Sequence, residues 1–196
     1  MFSDISLVST EALGGRKYWL LGVDYHTSMK WSFFLKTKDK QPQVLSNFIQ
    51  EISQHTKVEQ WIFDNAGENQ STKELFEKNK FCIKFEMTAR ETPQQNGKVE
   101  RAFATLYGRI RSMFTNACFE KVKRESLWAK CAATATKLNN ILVKQGETKS
   151  AYEKFYGKEN KIGKHLRIFG EIGIVTKSNT TKMQSKISDC GTPVFF

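Results

Sequence analysis

The sequence predicts an α/β fold. Apolar runs of strand length alternate with segments whose apolar residues recur every three or four positions. Their order is strand, strand, strand, helix, strand, helix, strand, and two long amphipathic helices follow. At 196 residues the chain is long enough for one well-buried domain with extensions.

The first half supplies the strands. After a short "FSDIS" segment, residues 17–24 and 30–36 predict a hairpin, because two apolar, aromatic runs are separated by a polar turn. "VEQWIFD" at 58–64 is typical of a buried strand. "FCIKFEM" at 81–87 alternates apolar with polar or small residues, as a half-buried strand does.

Two helices are predicted between these strands. The segment 41–54 has helical spacing, and Pro42 suits the first turn of a helix. Ser71 and Glu74 have capping-box spacing ahead of a short helix over 71–79.

The second half predicts mostly helix. A long helix begins at Lys98, with apolar positions that step by three and four as far as 117. Another covers about 125–144 and is stopped by Gly146. A short helix capped by Ser150 and Glu153 and closed by Gly157, and then a strand over 165–175, complete the series. We expect a core over 1–120, a helical continuation over 121–160 and a short β or irregular extension over 161–196.

Positive charge is concentrated in the second half. The formal net charge is +11, yet residues 1–97 hold 12 basic and 12 acidic side chains, against 19 basic and 8 acidic in 98–196. Such asymmetry favours a polyanionic partner, most simply nucleic acid, because Lys and Arg release counterions from phosphates. The alternative is a charge that serves solubility alone.

Other classes of site and location are disfavoured. The four cysteines have no close pair and no secretory signal precedes them, so we expect reduced thiols in an intracellular protein. The three histidines are too scattered for a zinc half-site. No apolar run approaches the roughly 20 residues of a membrane span, and nothing indicates a small-molecule cofactor.

Two carboxylates indicate a metal site. Asp64 ends an apolar strand, and Glu100 follows after 35 residues, in the first turn of the predicted helix and at the border of its apolar stripe. Glu100 also has an ordinary interpretation: a carboxylate in the first turn of a helix interacts favourably with the positive end of the helix dipole, an effect worth under about 1 kcal/mol. Held together the two carboxylates would repel, which a hard divalent cation relieves. A site for phosphoryl transfer would need a third acid.

The motifs resemble a known family. "WIFDNAGEN", the 35-residue gap and "TARETPQQNGKVERAFATLYGRIRSMF" closely resemble the integrase catalytic core of copia-type (Pseudoviridae-like) LTR retrotransposon polyproteins, related to retroviral integrases. "LWAKCAATATKLNNILV", "SAYEKFYGK" and "KHLRIFGEIGIV" resemble the family's downstream region, so the resemblance covers nearly the whole chain.

The resemblance implies a ribonuclease H-like fold, with a mixed five-stranded sheet, flanking helices and a helical and short β extension. It also implies an Asp, Asp, Glu triad that holds two Mg²⁺ (or Mn²⁺) ions and catalyses DNA 3′-end processing and strand transfer. The second and third acids correspond to Asp64 and Glu100. The first is Asp4, in "FSDIS", which we favour over the alternative Asp24, in "LLGVDYHTS".

Residues around Glu100 are expected to contact DNA. The polar stretch before the helix offers amides for phosphates or base edges, Gly97 offers unusual backbone angles, and two cations offer charge. These candidates are Gln94, Gln95, Asn96, Gly97, Lys98 and Arg101. The partners implied are retrotransposon ends and target DNA, with a homo-oligomer and a nuclear location at integration; no membrane is implicated.

Departures from the family pattern leave alternatives open. Arg90 and Glu91 stand where members often have Pro-Gly, and no Gly-Pro follows Asp4. Asp4 is also so close to the start of the sequence that its strand would fray unless partners hold it. We therefore keep a second hypothesis, a truncated or co-opted remnant that binds DNA without catalysis. A ribonuclease of the same fold is a third, which "TPQQNGKVER" disfavours.

Overall fold

The computed structural model describes residues 1–63, 67–87, 93–176 and 191–195. The strands are β1 (Phe2–Ala12), β2 (Arg16–Val23), β3 (Lys30–Leu35), β4 (Gln60–Phe63), β5 (Lys84–Met87), β6 (Ile172–Thr176) and β7 (Gly191–Phe195). The α-helices are α1 (Gln41–Ile52), α2 (Gly67–Lys78), α3 (Pro93–Asn116), α4 (Lys121–Ile141) and α5 (Ala151–Tyr156).

Five strands form one mixed sheet in the order β3-β2-β1-β4-β5. The first three are antiparallel, whereas β1 with β4 and β4 with β5 are parallel. The predicted mixed five-stranded sheet is confirmed. Asp4 of β1 lies opposite Leu21, and Phe2 pairs with Ile62 on the other side, so the strand that carries Asp4 has partners on both edges. A separate antiparallel ribbon joins β6 and β7.

Helices cover both faces of the sheet, because its strands alternate their apolar side chains between two cores. Trp19 and Leu21 of β2 pack with α3 and α4, while the intervening Leu20 packs with α1 and α2. The spacing that predicted α3 is confirmed: Val99 and Leu106 are fully buried. No helix in the described part of the chain is long and apolar enough to cross a membrane.

Several predicted ends were wrong. α3 begins at Pro93, not at Lys98, because proline fits the first turn of a helix and the polar residues after it continue that turn. α2 begins at Gly67, so Ser71 lies within the helix and does not cap it. The strand predicted over 165–175 is limited to β6, since 161–165 form a 3-10 helix.

Other predicted ends were correct. Ser150 and Glu153 form the capping box of α5, with Ser150 N–H donating to the Glu153 carboxylate and Glu153 N–H to the Ser150 hydroxyl. Gly157 ends α5 at a φ of 67°, in the left-handed region that glycine tolerates.

Candidate active site and nucleic-acid interface

Asp4 lies on the face of β1 that packs against α3. Ser6, two residues on, points to the same face, and its hydroxyl is 2.9 Å from the hydroxyl of Tyr107. Asp4 itself is half-buried, and its Oδ1 accepts a hydrogen bond of 2.7 Å from the Ile5 N–H. The carboxylate therefore belongs to the contact between β1 and α3.

Glu100 lies on the matching flank of α3. It is exposed, and it precedes Tyr107 by seven positions, which is close to two helical turns and places both on one side. The first residues of β1 and the first turns of α3 also lie near each other, since both contact Tyr25. The ring of Tyr25 is 5.8 Å from that of Phe2, and the Lys98 ammonium lies 4.3 Å from the Tyr25 ring centroid.

Asp4 and Glu100 therefore lie along one line of contact. Asp4 stands between Phe2 and Ser6 along β1, and Glu100 stands between Lys98 and Tyr107 along α3. Ser6 contacts Tyr107 at one end, and at the other end Phe2 and Lys98 both contact Tyr25. Carboxylate oxygens of this kind are the donors that a hard divalent cation prefers.

The second predicted acid, Asp64, lies outside the described residues. The chain leaves β4 at Phe63, directly before Asp64 in the sequence, and β4 is the parallel neighbour of β1. Among the described residues no three His, Cys, Asp or Glu side chains are grouped so that they could hold a metal ion. The ligand set of Asp4, Asp64 and Glu100 stays a prediction.

Asp24, the alternative first acid, has a local structural role. Its Oδ2 accepts hydrogen bonds from the backbone N–H of Thr27 at 2.8 Å and from the Thr27 hydroxyl at 2.7 Å. Ser28 N–H donates to the Asp24 carbonyl at 3.2 Å. These bonds close the turn between β2 and β3, as an aspartate at the first position of a turn commonly does.

The predicted polar loop before Glu100 is the first turn and a half of α3. Gln94, Gln95 and Asn96 are helical; their side chains lie outside the described part. Gly97 is not among the residues with positive φ, so the prediction that it supplies an unusual backbone angle was wrong. Phe103 and Tyr107 pack as expected: each ring lies 5.1 Å from that of Trp19.

Positive side chains gather on the other flank of α3. Lys98 and Glu100 are two positions apart and thus about 200° apart around the helix. Lys98 and Arg101 line a cleft of about 590 Å³ that also contains Lys30 and Lys144. Lys98 donates to the Tyr25 carbonyl at its rim.

Sequence reasoning missed Lys30 and Lys144. Lys30 begins β3 and is only 5% exposed. Its Nζ donates to Asn139 Oδ1 at 2.8 Å and to the Ser28 carbonyl at 3.1 Å. The one available signal was the polar pair "NN" at 139–140 near the end of an otherwise apolar-faced helix, which implies buried partners for both amides.

The cleft lowers the pKa of Lys30 and of Lys98. Burial holds the pKa of Lys30 near 8, aided by the nearby charges of Lys144, Arg109 and Lys98. The pKa of Lys98 is lowered as well, first by burial and then by Lys144 and Arg101, against an opposing effect of Asp24.

Comparison with known proteins finds a sequence relative that aligns over nearly the whole chain. It is the Retrovirus-related Pol polyprotein from transposon TNT 1-94 of Nicotiana tabacum, 30% identical over 199 aligned positions that cover 97% of this chain. The chain spans only 14% of the length of that polyprotein. No protein-family model matches the chain.

Two solved structures have the same fold as this chain. A chain of a simian T-cell lymphotropic virus intasome, solved with PP2A regulatory subunit B56 gamma, aligns with a TM-score of 0.61 and 12% identity over 98% of this chain and 66% of its own. The catalytic core domain of BIV integrase aligns with a TM-score of 0.53 and 17% identity over 79% of this chain and 91% of its own. The predicted ribonuclease H-like fold is confirmed.

Proposed function

Because the chain is related to retrotransposon Pol polyproteins and has the ribonuclease H-like fold of retroviral integrase catalytic cores, we propose that it is the catalytic core of a copia-type integrase. The reactions proposed are metal-dependent DNA 3′-end processing and strand transfer. Asp4, Asp64 and Glu100 are the proposed ligands of two Mg²⁺ or Mn²⁺ ions.

One observation carries this proposal. Asp4 and Glu100 are 96 positions apart in the sequence, yet the Ser6–Tyr107 contact joins the strand that carries Asp4 to the helix that carries Glu100. Two carboxylates on facing elements form a partial hard-oxygen donor set, which suits a divalent cation that keeps other positions for water and phosphate. The proposal requires Asp64, which follows β4, to complete the set.

The chemistry proposed is attack at phosphorus. The ions, when bound, would activate the attacking oxygen and stabilise the leaving oxygen. In processing, a water oxygen bonds to phosphorus as the bond to the 3′ oxygen breaks, and a proton passes through solvent to that oxygen. In joining, the new 3′ hydroxyl attacks a target phosphodiester in the same way and releases a target 3′ hydroxyl. No covalent protein intermediate is needed, so the chain's task is to position and neutralise charge.

The start of α3 is proposed to hold DNA beside the metal site. Gln94, Gln95 and Asn96 occupy the turns that precede Glu100, with Gly97 leaving the backbone unshielded by a side chain. Lys98 and Arg101 would neutralise phosphates from the opposite flank. Assembly as a homo-oligomer, and a nuclear location at the time of integration, belong to the same proposal; one structural relative is part of an intasome.

A strand-transfer assay on short DNA duplexes with Mg²⁺ or Mn²⁺ tests the proposal. We expect metal-dependent joining by the wild type and its loss in Glu100→Gln and in Asp64→Asn. Glu159→Gln, which neutralises an exposed glutamate on the loop after α5, is the charge-matched control and should join normally. Folded wild type that joins nothing under any divalent metal would overturn the catalytic proposal.

The second candidate function is DNA binding without catalysis. The observation that favours it is the position of the cationic cleft on the flank of α3 away from Glu100. Binding there does not depend on the carboxylates. Salt-sensitive binding that persists in Glu100→Gln, together with an absence of joining in the wild type, would favour this candidate over the enzyme.

A further inference from the structure

The cleft beside α3 has an unbalanced positive charge. Four cations line it, and none of its described lining residues is acidic. The other polar lining residues carry hydroxyls, an imidazole and an amide: Tyr25, Ser28, Thr105, His26 and Asn139. Asp24 is close enough to oppose the lowering of the Lys98 pKa, but it does not line the cleft.

Lys30 is built into this cleft. Its backbone is held from both sides by one side chain: the Lys30 N–H donates to Asn140 Oδ1 at 3.0 Å, and Asn140 Nδ2 donates to the Lys30 carbonyl at 2.7 Å. Asn139 and Asn140 are only 4% and 5% exposed. The ammonium bonds to two neutral oxygens and retains a third donor.

A buried cation with neutral partners is costly, and a nearby anion lowers that cost. The low pKa of Lys30 follows from the same arrangement. Carboxylates could have balanced Lys30 from within the chain, but the described lining supplies only more cations. An anionic ligand bound in the cleft would supply the counter-charge that the described lining does not.

The shape of the charged surface indicates an extended anion. Lys98 and Arg101 are one helical turn apart, about 5 Å between their Cβ atoms. Arg109, whose charge also acts on Lys30, lies on the same flank about 16 Å farther along α3 from Lys98. A row of this length matches several phosphates of a nucleic-acid strand better than it matches one phosphate group.

We infer that the cleft between α3, the β2–β3 turn and the end of α4 is a second DNA-backbone site, in which Lys30 and Lys144 act with Lys98 and Arg101. It extends the DNA contacts proposed for Lys98 and Arg101 onto the side of α3 away from Glu100, along residues that the carboxylate site does not include. The inference rests on the proposed function only in taking DNA as the ligand, and it does not require catalysis.

Binding of a short DNA duplex, measured against salt concentration in EDTA, tests the inference without metal chemistry. The variants are Lys144→Gln, which alters an exposed side chain, and Lys30→Met, which keeps the length of a buried one. Lys121→Gln is the control, because this exposed lysine lies at the other end of α4, about 30 Å from Ile141.

We expect each cleft variant to weaken binding at low salt and to reduce the slope of log K against log salt by about 0.9, the value for one lost phosphate contact on duplex DNA. Lys121→Gln should keep the wild-type slope. If Lys144→Gln and Lys121→Gln bind alike, the inference is overturned, even if Lys30→Met fails to fold. Joining activity plays no part in this readout, so failure of the catalytic proposal would be visible separately.

Discussion

The first turns of α3 carry opposite charges on two flanks that have different surroundings. On one flank Glu100 is exposed and lies on the same side of the helix as Tyr107, which contacts Ser6 of β1. On the other, Lys98 and Arg101 join Lys30 and Lys144 around a cleft. The helix thus separates the acids proposed to bind metal from the cations proposed to bind phosphate.

This difference explains the alternation of charge in "KVER". Neighbouring residues of a helix point about 100° apart, so a glutamate between a lysine and an arginine need not pair with either. Lys98 instead contacts the carbonyl and ring of Tyr25. Charges that are adjacent in the sequence here belong to separate surfaces.

The largest expected effect distinguishes the acids. Asp4→Asn should reduce metal-dependent joining on the order of 1,000-fold or more, as loss of a catalytic group typically does, because an amide cannot replace an anionic ligand. Asp24→Asn should retain most activity and lose stability instead, since Asp24 bonds to Thr27 within a turn. Joining rates and thermal unfolding of both variants check this. Loss of joining in Asp24→Asn, with Asp4→Asn active, would reverse the assignment.

The cationic flank should make stability depend on pH. The pKa of Lys30 is near 8 in the folded chain, below the ordinary 10.5, so the unfolded state binds more protons between these values. Stability should therefore rise as pH increases from about 8 to 10.5, by at most about 3 kcal/mol. Below pH 8 both states are protonated and this contribution is constant.

Lys30→Met isolates that effect. Urea unfolding at several pH values should give a flatter stability profile for the variant than for the wild type, whose other titrating groups are unchanged. An identical pH slope in the two proteins would mean that Lys30 is not held in the environment described. Lys121→Gln, at an exposed position, should follow the wild type.

A smaller effect on stability is expected at Asn140, whose side chain holds the backbone of Lys30 in the cleft. Asn140→Ala removes both side-chain hydrogen bonds to the backbone of Lys30, on the edge strand β3. Leaving these buried groups without partners should lower the free energy of unfolding by about 2 kcal/mol. Asn47→Ala, at an exposed position of α1, should change it by less than about 0.5 kcal/mol. Equal stability of the two variants would contradict the proposed support.

The fold was predictable where periodicity is strong. Val99, Phe103 and Leu106 recur at helical spacing because all three lie on the buried face of α3. The start of α3 was missed because Gln, Asn and Gly also suit a loop, and a local pattern does not reveal that the helix extends back to Pro93. Periodicity thus predicts what is buried better than where an element ends.

The site was predictable only in part, for a related reason. Motif spacing drew attention to Asp64 and Glu100, and the family resemblance to Asp4; Asp4 and Glu100 lie on elements that contact each other, β1 and α3, whereas Asp64 lies outside the described residues. Lys30 and Lys144 carry no motif and are 68 and 46 positions from Lys98. Their meeting depends on how the edge strand β3 and the end of α4 pack beside α3, and sequence spacing does not encode such a contact.

The smallest expected effect concerns the contact that relates β1 to α3. The hydroxyls of Ser6 and Tyr107 are 2.9 Å apart. A neutral hydrogen bond of this kind contributes about 1 kcal/mol, so Ser6→Ala and Tyr107→Phe should each cost about that amount. Both remove the same bond, and the double variant should therefore cost little more than either single one.

A double-mutant cycle from urea unfolding measures this coupling, and strand transfer by the same variants connects it to the carboxylates. Because Trp19 still packs against the ring of residue 107, β1 and α3 should stay in register and joining should fall only a few-fold. Additive stability changes would show that the hydroxyls do not interact. A loss of joining as large as that expected for Asp4→Asn would mean that this one bond, and not the packed aromatic contact, holds Asp4 and Glu100 together.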